Sequence, residues 1–440
     1  MHVSVTRYKA YTRDNVHTLP QYQRLSPELQ FDIQVVSAVL PFRVNPYVVD
    51  ELIDWRHVPE DPMYQLTFPQ KGMLAARDYA EVAALIKKDA PKDKLQAVVN
   101  KIRLRLNPHP AGQIQYNVPV LDDEPVPGVQ HKYHETVLFF PSAGQTCHAY
   151  CSYCFRWAQF VGLEDLKFAA REAGQLVEYL KRHPEVTDVL FTGGDPGIMK
   201  TRVMERYIEP LLTPELSHIH TIRIGTKALA YWPQRFVTDD DADDLLRLLE
   251  RVIASGRHVA IMAHFSLPRE LNTPVAQEAI RRLRDIGCEI RMQAPVVRHV
   301  NDDSNRWARL WREGVRLGMV PYYMFVIRDT GAKNYYDMTL HDALHIFQGA
   351  YRKLSGLGRT VRGPVMSATP GKVLIHGIAN VDGHRAFVLS FIQARHADWV
   401  GRPFFAQYDL SATWFYDLKP LPGRTWFFTE TSSPAHTAAD

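Results

Sequence analysis

The chain has 440 residues, 46% hydrophobic and 23% charged, with a formal net charge of +4. That composition suits a globular protein with a large core, and the small charge without any Lys/Arg run argues against nucleic acid as a partner. No apolar stretch approaches the roughly 20 residues of a membrane-spanning helix. The opening MHVSVTRYKAYTRDN lacks an apolar signal core. The expectation is a cytoplasmic protein with no membrane partner.

Residues 1–130 read as a helical N-terminal region. SPELQFDIQVVSAVLPF opens on Ser26 as N-cap, with Glu28 in the first turn. AARDYAEVAALIKKDA and DKLQAVVNKIRLRLN repeat apolar residues at helical spacing, and LNPHPAG then breaks the pattern.

Residues 131–355 change to an alternation of strands and helices. The candidate strands are ETVLFF, TDVLFT, HTIRIG, HVAIMAHF, CEIRMQ and PYYMFVI. Between them lie amphipathic segments such as REAGQLVEYLKRH, DADDLLRLLERVIAS, PVAQEAIRRLRDIG and NRWARLWREGVRLG. This alternation predicts βαβ units and a parallel sheet, hence an α/β fold. The span is short of the ~250 residues of an eight-unit barrel, so the expected architecture is a partial, open (β/α)6 barrel. Functional groups in such folds gather at the C-terminal ends of the strands.

Residues 356–440 read as a small β-rich C-terminal region with many Gly, Pro and aromatic residues. VLIHGIANVDGHRAFVLSFIQ predicts a hairpin turning near Asp382-Gly383. SSPAHTAAD is expected to be a frayed tail. The aromatic richness suits a dimer interface or a small β core equally, so a homo-oligomer stays open.

Cys147, Cys151 and Cys154 are clustered, while Cys288 stands apart in IGCEIRM and reads as a small buried hydrophobe. The pattern is a poor disulfide framework and a good metal-ligand group. A zinc site would need His148 as fourth ligand, but its adjacency to Cys147 makes poor tetrahedral geometry. A redox pair of Cys151 and Cys154 would leave Cys147 unexplained. Three thiolates on an iron–sulfur cubane would leave one iron open to a small molecule.

The run from Gln145 to Arg156, following the first strand, resembles the CxxxCxxC signature of the radical S-adenosylmethionine (SAM) superfamily, with Tyr153 as the aromatic before the third cysteine. That resemblance implies a [4Fe–4S] cluster on Cys147, Cys151 and Cys154. It implies SAM at the open iron, an electron donor such as flavodoxin or ferredoxin, and cleavage to a 5′-deoxyadenosyl radical. Thr192-Gly193-Gly194-Asp195-Pro196 is similar to the superfamily's Gly-Gly-Glu-like motif, which places Gly193, Gly194 and Asp195 beside SAM. Gly225 and Thr226 fall where related proteins contact SAM. His264 and Gln293, ending the fourth and fifth strands, match polar positions that face the site.

From about residue 125 to 378 the chain resembles the lysine 2,3-aminomutase family. The resembling segments are PVPGVQHKY (ending at Tyr133), VTDVLFTGGDP (186–196), IRIGTKALAYWPQRF (222–236), AHFSLPRE (263–270), VNDD (300–303) and PYY (321–323). The family uses pyridoxal 5′-phosphate (PLP) as well as SAM, and moves an α-amino group to Cβ of an amino acid. Its Schiff-base lysine would be Lys372 in TPGK, and the arginine gripping the substrate carboxylate would be Arg156. Four departures stand out. Arg328, followed by Asp329, occupies the place of one aspartate that holds the distal ammonium of lysine. PVMSATPG lacks the second acid. Thr136 replaces an arginine often used on the PLP phosphate. The C-terminal zinc-binding cysteines of some members are absent, so no structural zinc is expected. An unpaired arginine and a cationic side chain would repel, so the expected substrate has an anionic or neutral side chain, glutamate-like being simplest. The alternatives are a PLP-independent radical SAM enzyme of this lineage, and a non-catalytic Fe–S protein.

Overall fold

The computed structural model describes residues 7–107, 117–162 and 168–428; the SSPAHTAAD tail lies outside them. The chain begins with a helical region. Helix α1 (Pro27–Val39) is capped by Ser26, whose hydroxyl accepts from the Leu29 amide at 3.3 Å, with Pro27 at the first helical position. Helices α2 (Ala76–Lys87) and α3 (Lys92–Leu106) pack against α1.

An 11-stranded sheet forms the body. It opens with the antiparallel pair β1 (Val129–Tyr133) and β2 (Thr136–Phe139). There follow α4 (Gly174–Lys181), β3 (Asp188–Phe191), α5 (Thr201–Ile208), β4 (Thr221–Thr226), α6 (Ala242–Ala254) and β5 (His258–His264). Then come α7 (Pro274–Asp285), β6 (Glu289–Val296), α8 (Ser304–Arg316), β7 (Val320–Val326) and α9 (Leu340–Tyr351). Strands β2 to β7 are the six read from the sequence. They lie side by side in chain order and all parallel. Their interiors are apolar on both faces because helices cover one side and the barrel interior the other; β5 is buried from Val259 to Ala263.

The C-terminal strands continue this same sheet. β8 (Arg362–Ser367) adds parallel to β7, and β9 (Gly371–Val381), β10 (His384–Ala394) and β11 (Pro403–Gln407) follow antiparallel. The exposed edge of β7 offers unpaired backbone groups, and β8 satisfies them. The β9–β10 hairpin turns at Asp382 (φ 51°) and Gly383 (φ 78°), the positive-φ pair a tight hairpin turn requires. The sheet curls until β1 touches β10, and the Lys132 ammonium donates to the Ala368 carbonyl across that seam. β1 and β11 remain the two unbonded ends, so the barrel is open. A second apolar cluster, including Phe387, Phe391, Phe404, Trp414 and Phe415, fills the C-terminal part. Among the described residues no helix is long and apolar enough to cross a membrane.

Candidate active site

The cysteines, Arg156, Gly193, Gly194, Asp195, Thr226, His264 and Arg328 lie at the C-terminal ends of the parallel strands or on the loops that follow them, whereas Thr136 begins β2, Cys288 precedes β6 and Lys372 lies in the antiparallel strand β9. The cysteine loop leaves β2 and is held from two sides. On one side the Asp195 amide donates to the carbonyls of Gly144 at 2.9 Å and Thr146 at 2.8 Å. On the other the N-terminal region clasps it: Tyr150 N donates to Arg43 O and Ser152 N to Leu66 O, both at 2.9 Å, while Asn45 Nδ2 reaches His148 O at 3.1 Å. An irregular loop exposes its backbone polar groups, and these bonds satisfy them. Nothing in the sequence pointed to this clasp, because its partners are more than 80 residues away and carry no motif.

The paired glycines let the β3 end approach that loop. Gly193 has φ +135°, and a Cβ there would lie 2.1 Å from Gln145 Nε2. At Gly194 a Cβ would lie 2.5 Å from the amide nitrogen and carbonyl oxygen of Thr146. The Asp195 carboxylate faces inward: it accepts from Thr226 Oγ1 at 2.6 Å, Gly197 N at 2.8 Å and Lys227 N at 2.8 Å. Burial raises its pKa to about 6 and these hydrogen bonds oppose the rise. Asp195 and Thr226 therefore tie the ends of β3 and β4 together.

All three cysteine thiols are pushed up by burial. For Cys147 the charges of Asp195 and the other two cysteines add to the rise, and for Cys154, at about 12, that of Cys151. Such thiols are poor free thiolates and gain from a cationic core. Among the described residues no three His, Cys, Asp or Glu side chains converge as one metal ion would need. A cubane places each thiolate on a separate iron, so it does not demand that convergence. His148 is instead packed between Tyr8 and Trp232, with ring centroids 5.5 and 6.4 Å away. Cys288 is buried in the main core.

Lys372 is the second residue of β9, directly after the turn from β8. Its ammonium donates to Gln393 Oε1 at 2.6 Å and faces the rings of Tyr323 and Tyr133, 5.0 and 5.5 Å to their centroids. Burial, then the charges of Arg223 and Arg362, bring its pKa down to about 7, and Asp188 opposes them. An exposed turn lysine would have none of this. Lys132 lies nearby, its ammonium pushed well below the usual range by burial and by Arg395, Arg328 and Lys372. Thr136 donates to Asp188 Oδ2 at 3.1 Å, a carboxylate that also takes Arg223 Nε at 2.8 Å.

Arg156 and Arg328 flank Phe155, their guanidinium carbons 5.0 and 5.2 Å from its ring centroid. Arg156 also lies 4.3 Å from the Phe140 ring centroid, and its Nη1 is buried with no hydrogen-bond partner among the described residues. Burial lowers both arginines, Arg156 to about 10; Arg328 adds to the drop at Arg156 while Cys154 opposes it, and Asp329 opposes the drop at Arg328. Among the described residues the Arg328 guanidinium forms no hydrogen bond or ion pair, while its backbone carbonyl accepts from the Thr330 amide at 2.9 Å. His264 and Gln293 sit side by side in register, with Gln293 Nε2 3.0 Å from His264 Nε2. Burial and Lys227 hold His264 near 3, so it is neutral.

No family model matches the chain. It is 29% identical over 402 residues to a protein named putative L-lysine 2,3-aminomutase of Aquifex aeolicus (strain VF5), covering 91% of this chain and 93% of that one. It is 26% identical over 211 residues to glutamate 2,3-aminomutase of Clostridioides difficile (strain 630), covering 48% of this chain and 47% of that enzyme. Among solved structures, a radical SAM methyltransferase from Sphaerobacter thermophilus aligns with a TM-score of 0.38 and 15% identity, covering 67% of this chain and 95% of that one. Over nine-tenths of its length the chain is thus similar to a protein named for lysine 2,3-aminomutase activity, and over about half to one named for glutamate 2,3-aminomutase activity.

Proposed function

We propose that this protein is a radical SAM, PLP-dependent amino acid 2,3-aminomutase acting on a substrate with an anionic side chain, glutamate-like in length and charge. The observation that carries the PLP reading is Lys372: an amine on the barrel wall, desolvated by two tyrosine rings and half neutral near pH 7. When bound, the cluster on Cys147, Cys151 and Cys154 supplies the electron that cleaves SAM, and PLP supplies the electron sink that the migrating nitrogen needs.

The chain's own residues do the rest. Lys372 Nζ would hold PLP, because only a neutral amine attacks a carbonyl. Arg395, whose charge reaches Lys132, would supply positive charge for the phosphate in place of the arginine that Thr136 displaces, with the Lys132 amine as a hydrogen-bond donor beside it. Arg156 would take the α-carboxylate with its unpartnered Nη1. Arg328 would take the distal carboxylate, and Phe155 holds the two guanidiniums apart. Two buried cations that only Asp329 partly offsets are costly alone and are matched by a dicarboxylate. The glutamate 2,3-aminomutase relative supports this substrate class. Gly193, Gly194, Asp195 and Thr226 would shape the SAM side by fixing the strand ends against the cysteine loop. His264 and Gln293 would present neutral hydrogen-bonding groups.

The test is mass spectrometry of anaerobically reconstituted protein after borohydride reduction with PLP. A reduced pyridoxyl adduct on Lys372, absent in Lys372→Ala, is the expected result. No adduct, with SAM still cleaved to 5′-deoxyadenosine, would replace this reading with a PLP-independent radical SAM reaction.

A further inference from the structure

Behind the cysteine loop lies a buried chain of polar groups. Tyr231, 1% exposed, ends a short helix after β4, and its hydroxyl lies 3.3 Å from Cys151 Sγ. No other hydrogen-bond partner of that hydroxyl occurs among the described residues. The Lys227 ammonium lies 4.5 Å from the Tyr231 ring centroid and is paired with Glu270 Oε1 at 2.7 Å. Glu270 is wholly buried, and its second oxygen accepts the amides of Ser266 and Leu267. Asn45 Nδ2 bonds the Tyr231 carbonyl at 2.9 Å and so fixes the tyrosine backbone to the clasp that holds the loop. The tyrosine is thus held on three sides with its hydroxyl aimed at one sulfur.

We infer that Tyr231 is a positioning residue of the iron–sulfur site, whose hydroxyl donates to the Cys151 thiolate and makes the cluster easier to reduce. This rests on the reading that the three cysteines carry a cluster. A thiolate on iron has no proton and can only accept, so the phenol must be the donor. Hydrogen bonds to cluster sulfurs favour the more negatively charged, reduced state and raise the reduction potential. The Lys227 cation on the ring face draws density from the phenol and strengthens it as donor. Cys147 and Cys154 have no such hydroxyl among the described residues, so the donor singles out one corner of the cluster. Tyr153 also stands near, but its hydroxyl is shared with Ser266 Oγ at 3.2 Å.

The experiment is a redox titration of reconstituted protein, followed by electron paramagnetic resonance of the reduced cluster. Wild type, Tyr231→Phe and protein carrying 3-fluorotyrosine at position 231 are compared. Phenylalanine keeps the packed ring and removes the donor; fluorotyrosine keeps the shape and makes the donor stronger. With equal iron and sulfide content, Tyr231→Phe should show roughly a tenfold lower ratio of reduced to oxidised cluster at a fixed potential, which is about 59 mV for a one-electron couple. The fluorotyrosine protein should shift the other way. If Tyr231→Phe loses its cluster, the fluorotyrosine protein alone decides. Coincident potentials at equal loading would overturn the inference. A wild-type protein that takes up no iron and sulfide would overturn the cluster reading, and the inference with it.

Discussion

Replacing Arg328 by Met should selectively weaken a glutamate-like substrate while leaving the cysteines and Lys372 in place. The side chain stands just past the end of β7, beside Phe155 and within electrostatic reach of Arg156; the neighbouring Asp329 offsets only part of the cost of its burial. If it holds the distal carboxylate, its loss leaves that carboxylate buried and unpaired. Removing one partner of a buried charged pair costs about 2–5 kcal/mol, or roughly 30- to 4,000-fold in kcat/KM at 1.4 kcal/mol per decade. The same change removes an unmatched buried cation from the empty protein, so unliganded Arg328→Met should be at least as heat-stable as wild type. The assay is competition between glutamate, lysine and a neutral amino acid, read by mass spectrometry of the β-amino product, alongside thermal shifts with each amino acid. Wild type should favour glutamate and be stabilised by it, and Arg328→Met should lose both effects. A wild type that prefers lysine, or a variant with unchanged preference, would refute the two-arginine reading.

Cys151→Ala should cut iron uptake on reconstitution and abolish SAM cleavage, measured by iron and sulfide assay and by 5′-deoxyadenosine release. Gly194→Val should likewise lower cluster content, because the added Cβ meets the Thr146 backbone at 2.5 Å; normal content would contradict the close packing. Trapping of PLP on Lys372 should have a midpoint near pH 7, where a free lysine is neutral in roughly one molecule in 3,000; a midpoint above pH 9 would contradict the desolvated amine. The sign for stability follows from the same shift. The folded pKa is about 7 and the ordinary value 10.5, so the unfolded chain holds a proton across that window that the folded chain lacks. This lysine's contribution to stability therefore rises with pH between those values and is lowest below pH 7.

The barrel was legible because its strands announce themselves: short apolar runs separated by amphipathic segments, in chain order, leave little choice of topology. The helix starting after Ser26 and the turn at Asp382-Gly383 were legible for the same local reason. The role of β8 as a seventh parallel strand was not. RGPVMS has Gly and Pro in its interior and was not among the candidate strands; only the free edge of β7 makes it a strand. At the site, the cysteines stand out by their spacing, whereas Lys372 is singled out only through the family resemblance. The sequence could not show what surrounds them. Gln393 bonds Lys372 only through the register of β9 and β10, and the Lys227–Glu270 pair joins two strand ends 43 residues apart. TGGDP was read as a SAM-facing turn, and its glycines turn out to make room for the cysteine loop itself. Lys132 carried a signal that could have been used, since it sits beside Tyr133 in one of the segments that resembles the family.

The most direct test of the proposed chemistry uses glutamate carrying deuterium at Cβ, incubated anaerobically with reconstituted protein, SAM, PLP and a reductant. The expected result is deuterium at the 5′ carbon of 5′-deoxyadenosine or recovered SAM, together with β-glutamate, both dependent on PLP and on Lys372. Turnover without label at that carbon, or label transfer that proceeds without PLP, would contradict it.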